Sequence, residues 1–314
     1  SSIPAVHTPP SGADSSIPAA SAPAGSHPSV ADAPSTADSS IPAVHVDSGT
    51  RATVAPGEVL LGMVDRPAAQ EQVPWLVDFA HAGHLLVFGA SGSGKTELLR
   101  TLAATTTAAD EPAPPCVYGI DAGGGGLALL ERLPSVGSVV PVQQLERMLR
   151  LIRMLHRTVE HRGSVLAAHG VADISGLAAT GEPMRRIHLL IDNLPAVMEA
   201  LEGGGSQRRQ HGEQLVTILQ EGRRCGVHVT ATAPQRTGLP SQLQAAFGQR
   251  LVLRMTVADD YAMLGVPSDV LDADSAPGRG LAGKDEVQIA TVGAAGAPAQ
   301  GELLDQLASA VQDR

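Results

Sequence analysis

Gly89-Ala90-Ser91-Gly92-Ser93-Gly94-Lys95-Thr96 matches the phosphate-binding pattern G-x-x-x-x-G-K-[ST] at every fixed position. Its glycines let backbone N–H groups turn inward around a phosphate, its lysine reaches the β- and γ-phosphate oxygens, and its threonine hydroxyl is a ligand for Mg²⁺. The apolar run 84–88 suits a buried strand, and residues 97–103 open a helix whose N-terminus faces the phosphates. The pattern therefore predicts that residues 89–96, together with Glu97, bind ATP with Mg²⁺.

A second polar position follows the apolar strand predicted at residues 187–191, which ends in Asp192. This arrangement matches the Walker B motif, in which a buried strand delivers an aspartate to the sheet edge that faces the phosphate loop. We expect Asp192 to hold Mg²⁺ through water, opposite Thr96.

The next residue, Asn193, stands where hydrolysing motors of this kind carry a glutamate that deprotonates the attacking water. An amide can orient a water molecule but cannot accept its proton at neutral pH. We therefore predict ATP binding with weak or absent hydrolysis. Gln235 follows the strand predicted at 227–232 and is a candidate contact to the γ-phosphate, although an ordinary polar loop is an equally open interpretation.

The alternation of strand and helix patterns predicts an α/β fold with a mostly parallel sheet and helices on both faces. Four glycines, 123–126, follow the strand predicted at 116–120 and form either a tight turn near the nucleotide or a loose loop. The other predicted strands are 60–67 and 75–79, a pair at the sheet edge, and 136–142, 251–255 and 287–292. Helices are predicted at 127–133, 143–161, 207–225, 259–264 and 302–311.

The first fifty residues differ in composition from the rest. They contain four aspartates and no Lys or Arg, and the unit Ser-Ser-Ile-Pro-Ala recurs at Ser1, Ser15 and Ser39. So few apolar side chains cannot offset the entropy cost of ordering the chain. We predict a disordered linker or tail over residues 1–55 and one ATPase domain over 56–314. The absence of an initial Met suggests a fragment of a longer protein.

The net charge is −10, of which −6 remains on residues 51–314, and this is a poor footprint for a nucleic-acid binder. One face of the helix predicted at 143–161 nevertheless carries four arginines, which either touch DNA or a partner or are simply solvated. They are Arg147, Arg150, Arg153 and Arg157. No run of residues has the length of a membrane span and no signal peptide is present, so we expect a soluble chain.

The cysteines and histidines give no indication of a metal site. Cys116 and Cys225 lie beside predicted strands and are interpreted as small buried hydrophobes in a reducing compartment. The histidines lack metal-ligand spacing and are interpreted as structural; those considered are His81, His84, His169, His188 and His228.

With these motifs placed, the chain resembles the FtsK/SpoIIIE family of P-loop ATPases over residues 57–314, most closely the ATPase modules of the EccC group of type VII secretion proteins. Gly62-Met-Val-Asp-Arg-Pro67 with Gln70 is similar to the opening G-x-V-D-x-P-x-x-Q element of the family. The stretches 118–127 and 133–137 resemble the D-x-G-G-G…L-P-x-V-G segment of the secretion modules, and 250–254 and 277–280 resemble the late strand and the P-G-R-G turn.

Two departures distinguish branches of the family. DNA-translocating members carry D-P-K where this chain has Asp121-Ala122-Gly123, and they carry the catalytic glutamate that Asn193 replaces. Both point away from a self-sufficient DNA motor. An active FtsK-like DNA translocase in chromosome segregation or conjugation is the alternative interpretation.

The resemblance implies a RecA-like fold and a hydrolysis-impaired regulatory or substrate-binding module of a type VII secretion ATPase, in which ATP acts as a clamp between modules. It implies neighbouring ATPase modules, one of which normally contributes an arginine to the site, and a secreted protein substrate as partners. DNA is the less favoured partner. It also implies a cytoplasmic position at the inner face of the cell membrane, with anchoring through parts of the full protein that this chain lacks.

Overall fold

A computed structural model describes residues 54–67, 69–109, 114–293 and 297–312. The tail predicted at 1–55 lies outside the described residues except for its last two positions. The described strands are β1 Glu58–Arg66, β2 Glu71–Asp78, β3 Leu85–Phe88, β4 Cys116–Asp121, β5 Val136–Pro141, β6 Ile187–Asp192, β7 Val227–Ala233, β8 Gln249–Leu253, β9 Arg279–Ala282 and β10 Asp285–Ile289. The helices are α1 Lys95–Ala108, α2 Leu145–His169, α3 Ile174–Ala179, α4 Leu194–Glu202, α5 Gly205–Glu221, α6 Ser241–Ala245, α7 Asp259–Leu264 and α8 Ala297–Gln312, with a 3-10 helix at Ala128–Arg132.

The strands form one sheet in the order β2-β1-β10-β9-β8-β3-β7-β6-β4-β5. The six strands from β8 to β5 are parallel, and β9, β10, β1 and β2 extend the sheet by antiparallel pairing. Strand β7 separates β3 from β6, so the phosphate-loop strand and the strand ending in Asp192 are next-nearest neighbours. The mostly parallel sheet with helices confirms the predicted RecA-like α/β fold.

The parallel strands are buried on both faces, which explains their continuous apolar runs. Alternate side chains of β3 enter two separate cores: Leu86 and Phe88 pack into one, and Leu85 and Val87 into the other. The first core contains the buried faces of α2, α4 and α5, and the second contains that of α1 together with Leu304 of α8. Both layers thus hold the carboxyl ends of the parallel strands in fixed positions.

Several elements differ from the sequence prediction. Helix α2 continues to His169, where Gly170 ends it in a left-handed conformation (φ 65°), because Gly163 inside it does not interrupt the apolar stripe. Helix α4 was not predicted, since its run after Asn193 contains Pro195, which is tolerated in the first helical turn. Strand β9 was predicted only as a turn. Of the predicted edge pair, β2 lies at the edge, whereas β1 is covered by β10.

The two cysteines differ in burial. Cys225 is buried as predicted, whereas Cys116 is only partly buried at the start of β4; both are free thiols. Among the described residues, no group of three His, Cys, Asp or Glu side chains is arranged to hold a metal ion. Every helix in the described ranges is too short or too polar to cross a bilayer.

Candidate nucleotide-binding site

The loop 89–94 connects β3 to α1 and rests against the turn before β9. Gly92 and Gly94 have φ values of 71° and 107°, which glycine adopts at little cost. A Cβ on Gly94 would lie 2.8 Å from the backbone nitrogen of Gly278, and that nitrogen donates a hydrogen bond to the Ser93 carbonyl (2.9 Å). The late P-G-R-G turn therefore supports the loop from outside.

Lys95 opens α1 and turns back over this loop. Its Nζ donates hydrogen bonds to the carbonyls of Gly89 and Ala90, both at 2.7 Å. Burial lowers the pKa of the ammonium, and the negative charge of Asp192 opposes that shift. The lysine is thus a partly desolvated cation at the mouth of the loop.

A chain of hydrogen bonds joins the carboxyl ends of β6 and β7 to α1 through Asp192, which is 3% exposed. Thr96 Oγ1 donates to Asp192 Oδ2 (2.9 Å), and Thr232 Oγ1 donates to Asp192 Oδ1 (2.7 Å). The backbone N–H of Asn193 in turn donates to Thr232 Oγ1 (2.8 Å). The structure therefore brings Thr96 and Asp192 together as the sequence predicted, and both carboxylate oxygens are oriented by hydroxyls.

Asn193 lies at the junction of β6 and α4 with a left-handed backbone, φ 68° and ψ 68°. Asparagine adopts this region more readily than other side-chain-bearing residues. Its Nδ2 lies 3.4 Å from the Ala122 carbonyl, so the amide is turned toward the loop after β4.

The glycine run 123–126 forms the tight turn rather than the loose loop. The buried Asp121 carboxylate accepts hydrogen bonds from the backbone nitrogens of Gly123 (3.0 Å), Gly125 (3.1 Å) and Leu127 (2.8 Å). A Cβ on Gly123 would overlap the Asp192 carboxylate. Only glycine therefore lets this turn close against Asp192.

Two candidate residues of the sequence analysis are placed away from this chain of contacts. The Glu97 carboxylate accepts hydrogen bonds from Gln300 Nε2 (2.8 Å) and the Val292 backbone nitrogen (3.2 Å), so it ties α1 to α8. Gln235 is exposed, two residues beyond the end of β7.

Two residues that the sequence analysis did not select border the site. Thr232 orients Asp192, as described above. Arg254 follows β8, its carbonyl accepts from the Ala90 nitrogen (2.8 Å), and its guanidinium donates to Ala273 and Ser275 carbonyls at 3.1 and 3.2 Å. Both residues could have been found from the sequence, because each is a polar residue at the end of an otherwise apolar strand. The carboxyl ends of parallel strands meet at one edge of the sheet.

The site fits a nucleotide with Mg²⁺. A hydroxyl and a carboxylate, the oxygen ligands that Mg²⁺ prefers, face each other at 2.9 Å beside the loop. The buried Ser93 Oγ has no hydrogen-bond partner among the described residues, and the glycines allow the loop its positive φ values at Gly92 and Gly94. The donor set is that of a phosphate cradle.

Comparison with protein families agrees with this geometry. The family model described as FtsK/SpoIIIE matches residues 51–279. The chain belongs to the FtsK/SpoIIIE family. Membership of this P-loop ATPase family implies nucleotide binding with Mg²⁺.

Among curated FtsK/SpoIIIE relatives, the chain is 29% identical over 227 residues to the ESX-4 secretion system protein EccC4 of Mycobacterium tuberculosis, covering 71% of this chain and 18% of that protein. It is 26% identical over 263 residues to the ESX-1 secretion system protein EccCb1 of Mycolicibacterium smegmatis, covering 80% of this chain and 43% of that protein. The chain thus spans less than half the length of these relatives.

Solved structures show the same fold. ATPases 2 and 3 of EssC from Geobacillus thermodenitrificans align with a TM-score of 0.73 and 21% identity, over 84% of this chain and 50% of that one. ATPases 2 and 3 of Thermomonospora curvata EccC, in complex with a signal sequence peptide, align with a TM-score of 0.71 and 24% identity, over 85% and 48%. This FtsK/SpoIIIE chain is therefore homologous to the ATPase domains of the EccC and EssC secretion proteins.

Proposed function

We propose that this chain is an ATP- and Mg²⁺-binding module of a type VII secretion motor, impaired in hydrolysis, which acts as a regulatory or substrate-binding unit beside other ATPase modules. The homology to EccC and EssC ATPase domains supports the setting, and the small share of those relatives that the chain spans leaves room for further modules. The single observation that supports impaired hydrolysis is that Asn193 directly follows Asp192, at the position where hydrolysing motors carry a glutamate.

Nucleotide binding follows from the residues around the loop. The backbone N–H groups of 90–94 and the N-terminus of α1 would hold the phosphates, and Lys95 would exchange its two carbonyl partners for phosphate oxygens. Thr96 and Asp192 would hold Mg²⁺, which neutralises phosphate charge when bound. Thr232 keeps the Asp192 carboxylate in place for that role.

Hydrolysis requires a base that takes a proton from the attacking water. The amide of Asn193 cannot do so, and the backbone at this residue is in the conformation that favours asparagine over glutamate. Bound ATP would then act as a clamp, because a ligand at a module interface stabilises one arrangement of the modules over another.

The proposed partners are neighbouring ATPase modules and a secreted protein substrate. The signal sequence peptide bound to the Thermomonospora EccC ATPases supports a peptide substrate for this module as well. We place the module in the cytoplasm at the inner face of the membrane, where a larger assembly would anchor it.

The test is a Mg-ATP titration by calorimetry followed by phosphate-release kinetics, with and without duplex DNA. Asn193→Glu and Asn193→Gln are compared, because both carry the cost of about 1 kcal/mol for a long side chain at this backbone conformation and differ only in the carboxylate. We expect micromolar binding, negligible turnover of the unchanged chain and of Asn193→Gln, and at least about tenfold faster release by Asn193→Glu.

Equal rates for the Glu and Gln variants would show that Asn193 is not what limits hydrolysis. Robust turnover of the unchanged chain, stimulated by duplex DNA, would replace this proposal with the DNA translocase.

A further inference from the structure

Helices α2 and α5 pack against the same core but meet along a polar seam at their outer sides. The side chains at 153, 156, 157 and 160 of α2 and at 207, 210, 211 and 214 of α5 recur at the three- and four-residue spacing that places them on one face of each helix. Between the two helices they enclose a cleft of about 590 Å³, on the side of the sheet opposite α1. Apolar residues at these positions would pack together and close the space between the helices. The polar residues leave it open as a cleft that they line.

One buried contact orients a guanidinium in this cleft. His211 is 2% exposed, and its Nδ1 lies 2.7 Å from the Gln207 carbonyl, so this ring nitrogen carries the proton. Its Nε2 is left as an acceptor for Arg153 Nη2 at 3.1 Å. The other N–H groups of Arg153 have no hydrogen-bond partner in the described part of the chain.

The cleft has a positive charge although the chain is acidic. Arg157 lies one turn from Arg153 and has no carboxylate partner within the described ranges. The one acidic lining residue, Glu160, is 62% exposed and lies 3.3 Å from His156 Nδ1. Two guanidinium groups and one carboxylate therefore line the cleft, and neither guanidinium is paired with a carboxylate among the described residues.

The lining also contains neutral hydrogen-bonding groups. Three glutamine amides line it, and the Oε1 of Gln214 is buried without a donor among the described residues. Guanidinium groups match the geometry of phosphate and carboxylate oxygens. The volume is within the range of small-molecule pockets.

We propose that the cleft between α2 and α5 binds a small oxyanion, a phosphate or carboxylate ligand, through Arg153 and Arg157. This site is separate from the nucleotide site and independent of the function proposed above. A cleft of this size with two arginines suits a small ligand better than duplex DNA, which requires a broad basic face.

The experiment uses the full chain carrying Lys95→Ala, so that phosphate compounds do not report on the phosphate loop; the unchanged chain saturated with Mg-ADP is the second measurement. Pyrophosphate and citrate are titrated separately by calorimetry to distinguish a phosphate source from a carboxylate source. Arg157→Gln is compared with Arg147→Gln, because Arg147 is exposed on the same helix and hydrogen-bonded to Gln144, outside the cleft.

We expect at least one probe to bind with 1:1 stoichiometry. Arg157→Gln should weaken it at least about tenfold, equivalent to about 1.4 kcal/mol, and Arg147→Gln less than twofold. Equal losses in the two variants would reveal a diffuse charge effect and overturn the proposal. Failure of both probes to bind would also overturn it, as would binding of duplex DNA through the same arginines without binding of either small anion.

Discussion

Strands β6 and β7 carry polar residues at both of their ends, and the hydrogen bonding of these residues differs between the two ends. At the carboxyl ends, Asp192 and Thr232 are linked to each other and to Thr96 by hydrogen bonds of 2.7–2.9 Å. At the amino ends lie His84, His188 and His228, each 1–2% exposed.

The histidine end packs as an apolar cluster. His188 and His228 are register partners with ring centroids 5.4 Å apart, and Phe79 lies edge-on to His188 at 5.0 Å. Both nitrogens of His228 and Nδ1 of His188 have no hydrogen-bond partner among the described residues. The same strands thus show that burial alone does not make a site. At the carboxyl ends the buried polar atoms are hydrogen-bonded and oriented, whereas at the amino ends the buried histidines are kept uncharged.

The largest expected effect is the loss of stability when the buried histidines at the amino ends become protonated. Burial lowers the pKa of His84 to about 4 and of His188 to about 3 from the ordinary value of 6.5, and burial together with the other histidines lowers that of His228 as well. Positive charges of Arg186, Arg223 and Arg162 add to these shifts. The unfolded chain therefore binds more protons below pH 6.5, so stability is complete above that pH and is lost as the pH falls towards 4 and 3. At pH 5 His84 and His188 each remove about 2 kcal/mol, and His228 adds to the loss in the same direction.

Denaturant unfolding at pH 7.5 and pH 5 measures this loss. His228→Leu should reduce the pH dependence, and His161→Leu, at an exposed side chain outside the cluster, is the matched control. An equal pH dependence for all three proteins would contradict the assignment to the buried cluster.

The next largest effect is the loss of nucleotide binding when the site at the carboxyl ends is altered. Lys95→Ala should weaken Mg-ATP binding at least about a hundredfold, or about 2.7 kcal/mol, because it removes the ammonium group that lies against the carbonyls of Gly89 and Ala90. Calorimetry is the measurement, and Lys284→Ala is the matched control, since Lys284 is exposed in the turn between β9 and β10. Comparable affinities for the two variants would place the nucleotide elsewhere.

The smallest expected effect compares two threonines of the same strand, β7. Thr232 and Thr230 lie on the same face of β7, but Thr232 bonds Asp192, whereas the buried Thr230 Oγ1 has no partner in the described part of the chain. Thr232→Val should lower the free energy of unfolding by about 1–3 kcal/mol and weaken Mg²⁺-dependent ATP binding. Thr230→Val should be neutral or stabilising. Chemical denaturation of both variants decides between these outcomes; equal effects would mean that the hydroxyl of Thr232 has no special role.

Much of the fold was predictable because the parallel strands are buried on both faces. Their apolar runs and the glycine pattern at 89–96 identify β3, β4, β6 and β7 from local composition. Helix α4 and strand β9 were missed because Pro195 and the Pro277-Gly278 turn are local signals of interruption. Neighbouring elements override such signals: α4 packs on β7, and β9 pairs with β8 and β10.

The sequence by itself predicted the phosphate loop, Asp192 and the role of Asn193 in place of a glutamate, since each prediction follows from residue type and position along one strand. Only the tertiary structure decided that Thr232 orients Asp192, that Arg254 supports the loop, and that α2 and α5 enclose a basic cleft. These contacts join residues far apart in the chain, and no local pattern specifies which distant side chain completes a hydrogen bond. Their geometry is set by the strand order and by the packing of helices on the sheet.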